Sequence, residues 1–353
     1  MENKFSTKII QPQPKHTAWN LIPALCMLVL SALFFSCSAP HNNPLDPENP
    51  QNKLCTLEGI IRTDTHTQLP LEEVAVYLKS ENAYTRTNAS GKFSLKNIQP
   101  VNGWLYFEKS GFYSDSVFIR WQSQKIISVS QNLNAQPRLL NASLYSVVKN
   151  KYSQTEYFLV AEIGVSDDDD IDSVFLVNSE LQINKSLEKI TATYFEGEFS
   201  DFELQLVSLV ETIGRDFSLI VKEKNRGKQF VGSATVKRVI EQEIETLGPK
   251  NQDSIVTLQP QLRWKRFTPG FRFSYFLEIY TDETEPKLKW SKEKISSDSI
   301  DIIVDPPIIP TPTVDEYFWV IWCIDEFGNR SRSKPASFLI IQQQQQEKNF
   351  HEH

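Results

Sequence analysis

"EYFWVIWCIDEFGNRSRSKPASFLII", residues 316–341, opens on ten residues in which aromatic and β-branched side chains stand at almost every position. In an extended strand successive side chains leave opposite faces of the sheet. Tyr317, Trp319, Ile321 and Cys323 therefore share one face, and Phe318, Val320, Trp322 and Ile324 share the other. Taking the first set as the inward one leaves an apolar stripe outside, which an upstream strand, "FSYFLEIYTDE" (273–283), extends with Phe276 and Tyr280. Phe276, Tyr280, Phe318, Val320 and Trp322 are thus a candidate contact surface. The preferred reading is packing against the adjoining stretch of chain. Stacking on sugar rings is the sharper alternative.

Working outward, the same period of two recurs in "VAVYL" (74–78), "KFSLKNI" (92–98), "FELQLVSL" (202–209) and "FSLIVKE" (217–223), with turn residues between the runs. No long helical pattern interrupts them. Repeated short strands from Leu54 onward exceed what one sandwich of roughly 100 residues uses, so the expected fold is all-β, as tandem β-sandwich domains. Three units fit, at 54–135, 138–240 and 245–342.

Each unit carries a resemblance. In the first, Asn88 to Gly91 closes a hairpin in which glycine supplies the positive φ of a tight turn. Gly59, Asp64, Pro70-Leu71, Val74, Val76 and Leu78, followed by Thr85, Thr87, Gly91, Phe93, Leu95 and Gly103, resemble the carboxypeptidase regulatory-like, transthyretin-like domain. That resemblance implies an accessory sandwich, a spacer or interaction module, and carries no catalytic residue with it. In the third unit, Leu262, Trp264, Tyr275, Leu277, Ile279, Tyr317, Trp319, Ile321, Asp325, Gly328, Asn329, Ser331 and Ser333 resemble a fibronectin type III domain. The middle unit looks immunoglobulin-like on alternation alone, because it has neither a cysteine pair nor a core tryptophan.

The N-terminus has another logic. Lys4, Lys8 and Lys15 precede an apolar run from Leu21 to Phe35 that Pro23 breaks, and small Ser36 ends it. This is the layout of a cleaved export signal and is short for a bilayer span. With Cys37 next, it resembles a bacterial lipoprotein signal, although bulky Phe34 and Phe35 stand where that family has smaller residues. The resemblance implies a signal peptide over 1–36, lipid on Cys37 and attachment to the cell envelope, at the outer membrane. Residues 37–53 are rich in proline and asparagine and suit an extended tether between membrane and first domain. The Gln-rich tail at 343–353 has no core-forming period and is read as disordered.

Charge and residue census then narrow the chemistry. There are 37 Lys plus Arg against 44 Asp plus Glu, a formal charge of −7, and this acidic balance excludes nucleic acid as a partner. Cys26 leaves with the signal, so Cys55 and Cys323 remain in the folded part and are expected as separate buried thiols. Of five histidines, only His66 falls in a folded unit, in a solvated turn, which removes paired-histidine zinc sites and Ser-His-Asp catalysis. Carboxylate-only glycoside hydrolysis needs no histidine but needs a cleft, and no cleft-building loops are evident. Asp167, Asp168, Asp169, Asp170 and Asp172 are a weak candidate for calcium. Asp172 stands where the calcium loop needs glycine, and no glutamate closes the loop at Asn178, so a solvated acidic turn is the plainer reading. No other cofactor is expected. The sequence therefore reads as a non-catalytic envelope lipoprotein that binds or scaffolds another envelope protein, with carbohydrate or matrix binding as the alternative and a glycosidase fragment behind it.

Overall fold

The computed structural model describes residue 49 and residues 53–168, 171–224, 226–309 and 315–341. The expected signal peptide, Cys37, nearly all of the 37–53 tether, Asp169, Asp170 and the 343–353 tail lie outside the described residues. Within them the chain is built from strands and two short 3-10 turns, so the all-β expectation is met.

The N-terminal part has seven strands in two sheets. One places β1 (Cys55–Thr63) between β4 (Lys92–Ile98) and β7 (Ile126–Leu133), antiparallel to the former and parallel to the latter. The other orders β2 (Ala75–Leu78), β3 (Ala83–Arg86), β5 (Gly103–Glu108) and β6 (Asp115–Ile119) as β3-β2-β5-β6. Leu57, Ile61, Val76, Leu78, Leu105 and Phe107 meet between the sheets, fully enclosed. The hairpin at Asn88 forms as its residues dictate: Gly91 donates to the Asn88 carbonyl at 2.8 Å and takes φ +70°. The Asn88 side chain accepts from Ser90 and Lys92, both at 3.0 Å.

The middle part contributes β8 (Arg138–Asn150), β9 (Thr155–Ser166), β10 (Ile171–Asn178), β11 (Ile183–Ser186), β12 (Glu188–Lys189), β13 (Tyr194–Ser200), β14 (Asp216–Glu223) and β15 (Lys228–Thr235). One sheet runs β11-β10-β14-β15, and it faces the strands β12-β13-β9-β8 across a core of Leu159, Ile163, Val174, Leu176, Phe195, Phe217 and Leu219. Here "FELQLVSL" corrects the sequence reading, because 202–209 is a turn that leads into a 3-10 helix at Leu209–Thr212. The backbone is held by a capping box in which Ser208 and Glu211 bond each other's main chain. Leu204 and Leu209 anchor inward while Phe202 and Val207 stand 88% and 97% exposed, so the apolar spacing serves anchoring and not a sheet.

The C-terminal part adds β16 (Thr246–Gly248), β17 (Asp253–Ile255), β18 (Gln261–Trp264), β19 (Phe273–Thr281), β20 (Leu288–Ser296), β21 (Asp301–Ile303), β22 (Glu316–Asp325), β23 (Arg330–Arg332) and β24 (Ala336–Ile340). Its core holds every one of Leu262, Trp264, Tyr275, Leu277, Ile279, Tyr317, Trp319, Ile321 and Cys323. Trp264 packs edge-on to Tyr275 at 5.3 Å, and Trp319 donates its indole N–H to the Pro249 carbonyl at 2.7 Å. The buried tryptophan is thereby satisfied as well as packed.

The middle and C-terminal parts share a sheet. Strand β8 pairs in parallel with β23, through Val147, Val148 and Lys149 opposite Arg330, Ser331 and Arg332. A single ten-stranded sheet, β12-β13-β9-β8-β23-β22-β19-β20 with β24 and β17 alongside, therefore crosses both parts.

Candidate binding surfaces

The stripe chosen from sequence lies where the alternation puts it, on the face of β19 and β22 away from the C-terminal core. Phe276 stands opposite Trp322, Glu278 opposite Val320, and Tyr280 opposite Phe318. Tyr280 and Phe318 stack at 5.4 Å with planes 18° apart. Glu278, which sequence reading passed over, ties the stripe together. It accepts from Trp322 Nε1 at 2.7 Å through one oxygen and from the Tyr280 hydroxyl at 2.8 Å through the other. Burial, then the hydrogen bond to Glu278, raises the Tyr280 phenol above its ordinary range. Within the stripe Val320 is 0% exposed. Trp322 packs with Phe158 against Tyr145, Val147 and Val160 of β8 and β9, and the remaining stripe residues are half-buried.

Beside the stripe is a buried polar joint. Asp325 accepts from the Phe327 and Asn329 amides at 2.8 and 2.9 Å and from Asn329 Nδ2 at 3.0 Å, and pairs with Arg238 at 3.1 Å. Asn329 Oδ1 in turn accepts from the Ser146 amide at 3.0 Å, and Ser146 Oγ donates to the Arg238 carbonyl at 2.8 Å. Arg238 lies over the Phe271 ring at 4.0 Å, Arg330 lies over Tyr145 at 4.5 Å, and Asn150 donates to the Arg332 carbonyl at 2.7 Å. Residues that carry the fibronectin-like resemblance, Asp325 and Asn329, thus form the joint.

A second aromatic face was missed. On the β3-β2-β5-β6 sheet, Tyr84, Tyr77 and Tyr106 stand side by side across β3, β2 and β5, and Trp104 of β5 opposes Phe118 of β6. Tyr84, Trp104 and Phe118 are 53%, 46% and 40% exposed. Trp104 and Phe118 meet edge to face, 5.3 Å apart at 76°. Arg86 sits 5.8 Å from the Tyr84 ring and Arg120 5.7 Å from the Phe118 ring. Tyr, Trp and Arg on an open sheet face make up the side-chain set that dominates protein interfaces. The signal was present in "AVYL", "AYTR" and "GWLYFE": with Val76, Leu78, Leu105 and Phe107 inward, alternation sends the rings out.

Asp172 is exposed and ion-paired with Lys222 at 2.7 Å, and this partner lowers its carboxyl pKa. Among the described residues no three His, Cys, Asp or Glu side chains gather as a metal site. His66 is exposed in a turn. Cys55 and Cys323 are free and buried in different cores.

The fold and these surfaces define a class: an all-β protein of tandem sandwiches with an aromatic face on the first. Residues 58–144 match the CarboxypepD_reg-like domain family, which takes in the first sandwich and the start of β8. No curated protein matches the chain. Among solved structures, a Bacteroides uniformis protein with a provisional carbohydrate-binding assignment is 8% identical, at TM-score 0.21, over 52% of this chain and 99% of its own. The fibronectin(III)-like modules of Clostridium thermocellum CbhA are 9% identical, at TM-score 0.28, over 59% of this chain and 96% of theirs. The chicken CNTN1 FN1-FN3 domains are 7% identical, at TM-score 0.27, over 76% and 90%.

Proposed function

We propose that the chain is a non-catalytic binding module of a bacterial cell envelope, attached to the outer membrane through lipid on Cys37, which docks another envelope protein through the first sandwich. The observation that carries the binding role is the open face of Tyr77, Tyr84, Trp104, Tyr106 and Phe118 with Arg86 and Arg120 at its rings. A protein partner is favoured over a saccharide by the 76° angle between Trp104 and Phe118. A flat sugar cannot lie on both rings of an edge-to-face pair at once. The CarboxypepD_reg-like match is in keeping with an accessory, non-catalytic role for this sandwich.

The test is the double substitution Trp104→Ala with Tyr84→Ala in the full chain. Both side chains are about half exposed, so the melting temperature is expected to change little while affinity for a captured envelope protein falls at least tenfold, as at an interface anchor. Undiminished capture would remove this face from the reading. Loss of signal on a glycan array, with protein capture unchanged, would transfer the role to saccharide.

A further inference from the structure

Beyond any ligand, the joint between the second and third sandwiches has a consequence for how the molecule holds its shape. We infer that the Asp325–Asn329 turn and β23 form a docking socket whose partner is β8 of the same chain, so that residues 138–340 behave as one body. The first sandwich is a second, independent body. Three observations carry this. The backbone ladder of one sheet runs unbroken from β12 to β20 through the β8–β23 pairing. Apolar contacts close over that pairing, with Trp322 and Phe158 on Tyr145, Val147 and Val160. Polar pairs cross the joint: the Ser146 amide donates to Asn329, Asn150 donates to the Arg332 carbonyl and Arg238 pairs with Asp325, which Asn329 holds from its own turn. Separating the two sandwiches would break the β8–β23 ladder and these polar pairs and expose the apolar contacts around Trp322 to water. Opening one side therefore opens the other.

The first sandwich shares no sheet with its neighbour among the described residues. Its two sheets end within it, and its core is separate. It meets the middle part at Tyr113, whose hydroxyl donates to Glu223 and whose ring lies 4.5 Å from Arg226. The bridge between Phe112 and Ala135 closes the connecting segment. The aromatic face is thus carried on a head joined to a long rigid block.

Scanning calorimetry of the full chain is expected to give two transitions, the larger with a calorimetric enthalpy equal to its van't Hoff enthalpy. In Asn329→Ala with Arg238→Ala the larger transition should split in two. Should that variant fail to fold, native-state hydrogen exchange on the unmodified chain decides. The Leu219 and Leu277 amides, in the second and third sandwiches, are expected to exchange through openings of equal free energy and equal denaturant dependence. Three transitions in the unmodified chain, or openings that differ between Leu219 and Leu277, would overturn the inference.

Discussion

Thr87 shows how one hydroxyl fixes a loop. It is buried, donates to the Leu71 carbonyl at 2.6 Å and accepts from the Val74 amide at 2.9 Å. Thr87→Val keeps the shape and strands both backbone groups, so a loss of about 1–3 kcal/mol is expected in a denaturant titration of the first sandwich. Thr87 was legible in sequence as part of a family pattern, but its two bonds were not, since they join it to residues 13 and 16 positions away. Cys323 makes a second case. Burial, then the nearby Asp325 charge, pushes its thiol up to about 12, against the opposing pull of Arg238. The folded thiol holds its proton where the unfolded thiol, ionising near pH 9, has lost it. Stability from this group is therefore complete below about pH 9 and is lost as pH rises toward 12. Compared with Cys323→Ala, the unmodified chain should lose stability more steeply over that window, and its thiol should resist alkylation until the fold is opened.

At the scale of elements, alternation located strands well and their irregularities poorly. "KFSLKNI" reads as Phe93, Leu95 and Asn97 on one face, yet Ile98 is the residue that turns inward. The register explains this: Leu95 pairs with Leu57 and Ile98 with Cys55, so β4 carries one extra residue, absorbed at Asn97 with φ +58°. Such a bulge flips the faces and leaves little trace in the residue pattern. "FELQLVSL" failed for the complementary reason, because inward anchors in a turn can mimic a period of two. Strand β22 tests the covered stripe directly. Val320→Asp would put a charge at a position with no solvent exposure, and a loss on the order of 3–5 kcal/mol is expected. Phe318→Ser, on the same face but half-buried, should cost less, and the difference is read from paired denaturation midpoints.

For the whole molecule, the proposed lipid on Cys37 predicts where the protein resides. Cys37→Ser is expected to abolish incorporation of labelled palmitate and to move the chain from the membrane to the soluble fraction of the envelope, as a fractionation blot would show. Retention in the membrane fraction would end the lipid-anchor reading. The sequence by itself determined the all-β class, the membership of the C-terminal core, the hairpin at Asn88 and the separation of the two thiols. These follow from side-chain order within a few residues, and a strand's two faces are set by that order. Tertiary structure alone decided which apolar face is covered and which is open. Ser146 and Asn329 are 183 residues apart in sequence and in contact in the fold. The stripe on β22 and the rings on β5 look alike as strings of letters. One is half-buried because β8 extends its sheet and brings Tyr145, Val147, Phe158 and Val160 to Trp322; on the other, Tyr84, Trp104 and Phe118 remain exposed.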